Sequence, residues 1–312
     1  MMDDFESTVS DYAISCILGV KKQFLMPKRM PRNFYQYSAL TTFRGVIEHN
    51  NLWATHWAYL NDAKELKKGI EIAKFIHSDS IIKKSFKSYN SFGDFENLIS
   101  ILSKEEIINK IEAYVLCFSE KKDNLNLWRG YGNGYNSIVT AYDTAKIKTN
   151  IDAAGFSIMG RVVYDEDRQK VMMLMFLGRF YLLTKKMHKM FPKQKKEVKK
   201  ILSNYFAVGI LILSLFMKEK YWNDEKEWRI IYFRPSHNYL DFKETEKGFV
   251  PFLHIPIFKE HAIKCINGVR LPKSQDFALR EKAIKMLWGK SCDENKMKKD
   301  LKVEQSSISI VY

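Results

Sequence analysis

The sequence predicts an α+β fold, and three observations carry that prediction. Helical and strand patterns follow one another without regular alternation, which speaks against a doubly wound parallel sheet. Strand patterns crowd together at 113–119, 137–142 and 161–164, and again after residue 227. The glycine-rich stretch Gly130-Tyr131-Gly132-Asn133-Gly134 lacks the strand–GxGxxG–helix setting of a dinucleotide fingerprint.

Residues 1–32 read as a helical arm ending in a basic, proline-marked linker, Met26-Pro27-Lys28-Arg29-Met30-Pro31-Arg32. Residues 33–312 read as a single domain with a helical insertion at about 166–219. Phe34-Tyr35-Gln36-Tyr37-Ser38 predicts a short strand. Ser38 is placed to cap a helix through Leu40, Phe43, Val46 and Ile47, and Asn50-Asn51 stops it. Leu52-Trp53-Ala54-Thr55 predicts a second strand. Leu66, Ile70, Ala73 and Ile76 give helical spacing over 63–77, and a further helix is expected over 95–111. Ala113 to Ser119 is an apolar strand of the buried kind.

A polar loop, Ser119-Glu120-Lys121-Lys122-Asp123-Asn124, comes next. Residues 127–135 are expected to form a second loop, with aromatic side chains between glycines that let backbone approach a ligand. Strands are predicted at 137–142 and 161–164, and long helices at 167–190 and 193–217. A charged knot, Trp222-Asn223-Asp224-Glu225-Lys226-Glu227, runs into the strand Trp228-Arg229-Ile230-Ile231-Tyr232-Phe233, with a weak period of two. Strands around 254–257 and 263–271, a helix over 275–288 and a terminal strand over 307–311 complete the chain.

Hydrophobic residues make up 46% of the 312, which supplies a core and excludes global disorder. Lysine plus arginine number 51 against 36 acids, a net charge of +15 that favours polyanions such as nucleic acid or a nucleotide. Lys185, Lys186, Lys189, Lys193, Lys195, Lys196, Lys199 and Lys200 form either a solvated helix face or a phosphate-contacting patch. The apolar run 205–217 is too short for a membrane span, so a buried helix and no membrane are expected. Cys16, Cys117, Cys265 and Cys292 are scattered and the start is acidic, so a reduced, cytoplasmic protein is expected. The histidines show no ligand spacing, and no metal site is expected.

Glu225 and Glu227 lie two apart. On a strand that has already begun they share a face, where like charges need a cation, a shared proton or a ligand between them. The pair reads either as an exposed strand start neutralised by Lys226 and Arg229 or as part of a site.

Taken together, Tyr35-Gln36-Tyr37-Ser38, Leu52-Trp53, Leu60-Asn61-Asp62, Cys117-Phe118-Ser119, Trp128, Tyr131 and Trp222-x-x-Glu225-x-Glu227-Trp228-Arg229 form an ordered set across about 34–271. That set resembles a bacterial domain-of-unknown-function family placed within the ADP-ribosyltransferase superfamily. The resemblance implies split mixed or antiparallel sheets with flanking helices and a long helical insertion. It also implies NAD as co-substrate and transfer of ADP-ribose to nucleic acid, protein or a small molecule, as a toxin or anti-phage effector with an antitoxin or regulatory partner.

The resemblance assigns catalysis to Glu227, Glu225 and Gln36. Many relatives carry His at the position of Gln36, which cannot carry charge. Cleaving the nicotinamide–ribose bond builds oxocarbenium-like charge, which Glu227 would stabilise while Glu225 polarises the acceptor. Tyr37, Trp128 and Tyr131 are candidates to face the nicotinamide cation, and such stacking is worth roughly 0.5–2 kcal/mol. Ser119 would hydrogen-bond ribose or orient Glu227, and Arg229 would meet the pyrophosphate or pair with an acid. Tyr35, Ser38, Asn61 and Cys117 complete the implied NAD-binding set, and Asn61 with Asp62 can also cap the following helix. Trp53, Phe118 and Trp228 read as core.

Two other functions fit the same residues. Asp224-Glu225-Lys226, with an upstream acid such as Asp62, matches the short signature of metal-dependent nucleases. Alternatively the chain is an inactive module that binds NAD or nucleic acid.

Overall fold

The computed structural model describes residues 2–60, 64–86, 92–108, 111–132, 134–150, 157–233, 240–245, 248–256, 262–296 and 299–309. The chain is α+β, with helices beside a sheet of mixed orientation. It forms two compact units, Met1–Lys28 with Leu60–Ile111 and Gly160–Asn223, and Arg29–Tyr59 with Glu112–Met159 and Asp224–Tyr312.

The first unit is helical. Its helices include Met2–Val20, Lys64–Ser78, Phe92–Leu102, Glu166–Met190 and Lys195–Ser214. The N-terminal helix is no peripheral arm: Val9, Ala13, Ile17 and Val20 are buried. The helix Glu166–Met190 starts where the Asp165 carboxylate accepts from the Arg168 N–H at 2.8 Å. Phe176, Phe180 and Phe206 pack together in its core, Phe176 stacked on Phe206 and Phe180 edge-on to Phe206. Gly209 lets Phe176 lie against backbone, since a methyl there would overlap the ring. The fully buried Gln169 donates to the carbonyls of Val163 and Lys218 at 2.7 and 2.9 Å, which braces the short backbone bridge between Val163 and Met217. The eight lysines between 185 and 200 are all exposed, and Lys186 sits 3.8 Å over the Tyr12 ring. No helix among the described residues is long and apolar enough to cross a membrane.

The second unit holds the sheet, apart from the last two residues of one strand, Gly160 and Arg161, which belong to the first. Its strands are β1 (Asn33–Ala39), β2 (Asn51–His56), β3 (Ala113–Ser119), β4 (Ser137–Asp143), β5 (Ser157–Arg161), β6 (Glu227–Phe233), β7 (Leu240–Thr245), β8 (Gly248–Pro256), β9 (Ile266–Leu271) and β10 (Val303–Gln305). The main path is β10-β9-β4-β1-β3-β2-β8-β7, and β6 joins β3 with β5 beyond it. β9 and β10 are parallel, while β1, β3, β4 and β6 pair antiparallel.

The sheet forks at β3. β6 pairs along the whole of β3, from Ala113↔Phe233 to Ser119↔Glu227. The other edge is shared: β1 meets it at Tyr35↔Ser119, and β2 meets it at Thr55↔Val115 and His56↔Tyr114. The helix Leu40–His49 joins the two prongs and buries Phe43, Val46 and Ile47. Its N-cap is Ala39, without a side-chain cap, so Ser38 does not take the expected role. Asn50 ends it in the left-handed conformation at φ 55°.

Three further expectations change. β6 is buried at every position, so its period of two disappears because both faces are covered. The region 127–135 is not one loop: Leu125–Tyr131 is a helix, because Asn124 caps it by accepting from the Leu127 N–H at 3.1 Å. The terminal strand falls earlier, at Val303–Gln305, and part of the expected span 307–311 lies outside the described residues.

Candidate functional site

Strand alternation sorts the expected site residues onto two faces. Phe34 stacks on Phe118 at 5.2 Å and lies 5.1 Å from Trp228, which makes that face apolar core. Gln36 and Ser38 share the parity of Phe34. The Gln36 Oε1 accepts from the Tyr142 hydroxyl at 3.4 Å. Tyr35 and Tyr37 point the other way, as do Cys117, Ser119, Glu227 and Arg229. The structure therefore separates Gln36 and Ser38 from Glu227. One residue of phase on a strand decides this, and the family pattern does not encode it. Asn61, with Asp62, lies outside the described residues.

On the second face the parts meet. Glu227 is directly opposite Ser119, which is directly opposite Tyr35. Arg229, opposite Cys117, holds Glu227 with two bonds: Nε to Oε1 at 2.8 Å and Nη2 to Oε2 at 2.9 Å. Both residues are buried. Such a fork fixes the carboxylate in position and direction. A carboxylate has about four lone-pair sites, so two bonds from Arg229 leave capacity for a further donor.

Glu225 reaches the same region by a different route from the expected one. The strand starts at Glu227, so alternation does not align the two acids. Lys226 instead turns the chain at φ 45°, a left-handed conformation uncommon for a residue with a side chain. Glu225 is buried, and its Oε1 accepts from the Tyr131 hydroxyl at 3.0 Å. Burial raises the Tyr131 hydroxyl well above the usual tyrosine value, and Glu227 and Glu225 raise it further. Tyr131 thus remains a donor toward the acid pair.

A hydrogen-bonded path ties the first strand to the acids. The Tyr37 hydroxyl donates to the Lys121 carbonyl at 3.0 Å, and the Lys121 N–H donates to Ser119 Oγ at 2.9 Å. Ser119 Oγ donates to the Glu225 carbonyl at 2.5 Å. Ser119 therefore positions the Glu225 backbone instead of bonding the Glu227 carboxylate. Tyr37 meets Trp128 edge to face at 5.3 Å, within a buried cluster with Leu127 and Val139. Trp128 is fully buried here, so it anchors the short helix. Cys117 is half-buried, while Phe118 and Trp228 are core as expected.

The sequence reading missed Asp123. Its carboxylate accepts from Trp128 Nε1 at 2.7 Å, Ser306 Oγ at 2.8 Å, the Ser307 N–H at 3.0 Å and Arg270 Nη1 at 2.9 Å. Burial alone would raise its pKa, but these donors outweigh burial and hold it below the ordinary carboxylate value. Asn124, with Leu127 three residues on, was the available signal that a helix begins here and that Asp123 stands at its mouth.

Of the nuclease signature only Asp224-Glu225-Lys226 is described, since the upstream acid Asp62 lies outside the described residues. Asp224 accepts from Asn124 Nδ2 at 2.5 Å, with Lys121 at 3.8 Å, whereas Glu225 turns inward to Tyr131. The two acids diverge. Among the described residues no group of three or more His, Cys, Asp or Glu side chains is disposed to hold a metal ion.

A family model described as a protein of unknown function (DUF2971) matches residues 127–230. The matched segment begins in the helix with Trp128 and Tyr131 and ends within β6, so it takes in Glu225, Glu227 and Arg229. No curated protein and no solved structure matches the chain.

Proposed function

We propose that the sheet unit is an NAD-dependent ADP-ribosyltransferase, with Glu227 as the acid that eases departure of nicotinamide. One observation carries this reading: three chain segments far apart in sequence bring Tyr37, Ser119 and the Glu225–Glu227 pair onto one face of the sheet. The bond between nicotinamide nitrogen and ribose C1′ breaks with its electron pair going to the ring, and positive charge grows on the ribose. A buried carboxylate aimed by Arg229 stabilises that charge more than bulk water does. Glu225, bonded to Tyr131, takes the proton of the attacking acceptor. The acceptor proposed is nucleic acid, supported by the net charge of +15 and by the exposed lysines between 185 and 200.

A second reading has its own observations. Gln36 belongs to the opposite face, and Glu227 is already engaged by Arg229. Those features suit a module that binds a nucleotide without turning it over.

Incubation with NAD and a nucleic-acid acceptor separates the two. Nicotinamide release is expected, falling about 100-fold or more in Glu227→Gln, as the loss of a group stabilising charge in the transition state requires. NAD binding without release leaves the second reading standing. Neither binding nor release removes both.

A further inference from the structure

A second polar cluster lies on the same sheet face. Glu227, Ser119, Tyr35, Ala141 and Gly268 stand in one cross-strand row. At about 4.8 Å per strand the row runs roughly 19 Å. Its far end opens into a cavity of about 110 Å³, with Tyr35, Ala141, Gly268, Lys122, Arg270 and Lys302 in its lining. That volume holds several waters or one tetrahedral oxyanion.

The charges around this cavity are unbalanced. Three cations converge on one carboxylate, Glu304: Lys122 Nζ at 2.7 Å, Lys302 Nζ at 2.7 Å and Arg270 Nη2 at 2.5 Å. With Asp123 also pairing to Arg270 at 2.9 Å, two carboxylates face three cations and one positive charge is left over. Arg270 also reaches Asp123, but its Nε is buried with no hydrogen-bond partner. A buried guanidinium N–H left unmade is costly, and here it belongs to the one arginine of the cavity lining. Burial would raise Glu304, yet Lys122, Lys302 and Arg270 pull it down to about 2.

We propose that this cavity is a binding site for a phosphate-class anion, held by Lys122, Arg270 and Lys302, with Glu304 as the resident counter-charge that such a ligand displaces. A phosphate offers more acceptor oxygens and more charge than a carboxylate, and a guanidinium fork with two ammonium groups suits it. The inference does not require NAD to be the substrate, and its test does not read nicotinamide release.

The test is calorimetric titration of the whole chain with inorganic pyrophosphate. Binding is expected in the wild type. Glu304→Gln removes the competing charge and should tighten binding about tenfold. Lys122→Ala with Lys302→Ala should weaken it at least tenfold; both side chains are largely exposed, so the fold should survive, and thermal melting checks this. Alanine at Lys195, Lys196, Lys199 and Lys200 should change nothing. The proposal is overturned if the wild type does not bind, if the Lys122/Lys302 variant binds as well as the wild type, if Glu304→Gln weakens binding, or if the helix lysines carry it.

Discussion

Two carboxylate–guanidinium pairs stand on one face of the sheet, and they are built to opposite ends. Glu227 and Arg229 are closed in, 5% and 1% exposed, in a one-to-one fork of two bonds. Glu304 with Arg270 is more open: the Glu304 side chain is 24% exposed and the Arg270 side chain 13%, and two lysines share Glu304, one of them 71% exposed. The first pair is joined by two bonds out of water, and its desolvation is offset only while both partners stay. The second has more cations than its acid can use, and solvent reaches it. A buried pair fixes geometry, whereas an open surplus of charge recruits a ligand.

The largest effect that would sharpen this contrast comes from Arg229→Met. It leaves Glu227 buried without its fork, and breaking a buried pair by removing one partner costs about 3–5 kcal/mol. Urea unfolding should show that loss. The double variant Glu227→Gln with Arg229→Met should recover most of it, because no uncompensated charge remains. If Arg229→Met unfolds at the wild-type midpoint, the closed pair is not closed in solution, and the contrast collapses.

The open pair should show itself in acid. Glu304 is held at about 2 in the folded state against 4.5 for the ordinary side chain. A depressed carboxylate contributes stability that is fully present above about pH 4.5 and is lost as pH falls toward 2. At about 1.4 kcal/mol per unit, discounted for partial exposure and salt screening, the effect is about 1–2 kcal/mol. Glu304→Gln should therefore flatten the fall in stability between pH 4.5 and 2 and leave the slope above pH 5 unchanged. An unchanged acid limb would mean that the three cations do not hold this carboxylate in solution.

How much of this was legible in the sequence follows from what each pattern encodes. The apolar strand Ala113–Ser119 falls at the residues expected, because a continuous buried run needs no partner to declare itself. The long helices do nearly as well. The convergence of Tyr37, Ser119 and the acid pair came from the order of motifs, since no local pattern reports pairing between residues 35 and 119. Gln36 failed on phase: neighbouring strand residues face opposite ways, and a motif that names four in a row cannot assign both faces to one site. The open cluster was invisible. Lys122, Arg270, Lys302 and Glu304 lie in separate stretches of sequence, and the parallel pairing of β9 with β10, with the loop after β3 bringing Lys122, gathers them. β7 was missed because it sits at the sheet's edge, with exposed residues at four of its six positions and no core-facing period to betray it.

The smallest effect tests what links the two clusters. The helix Leu125–Tyr131 touches both: Trp128 donates to Asp123, which holds Arg270, and Tyr131 donates to Glu225 beside the closed pair. Seven residues make a helix too short to persist by propensity alone, so its cap and its tertiary contacts maintain it. Asn124→Ala deletes the cap and should cost about 1 kcal/mol in urea unfolding. Asn124→Ser restores a capping oxygen and should recover most of that loss, while the bond from Asn124 to Asp224 stays broken. If serine restores nothing, the Asp224 contact holds this segment and the cap does not. If alanine costs nothing, Trp128 and Tyr131 are fixed by their own partners, and the closed and open clusters stand independently of each other.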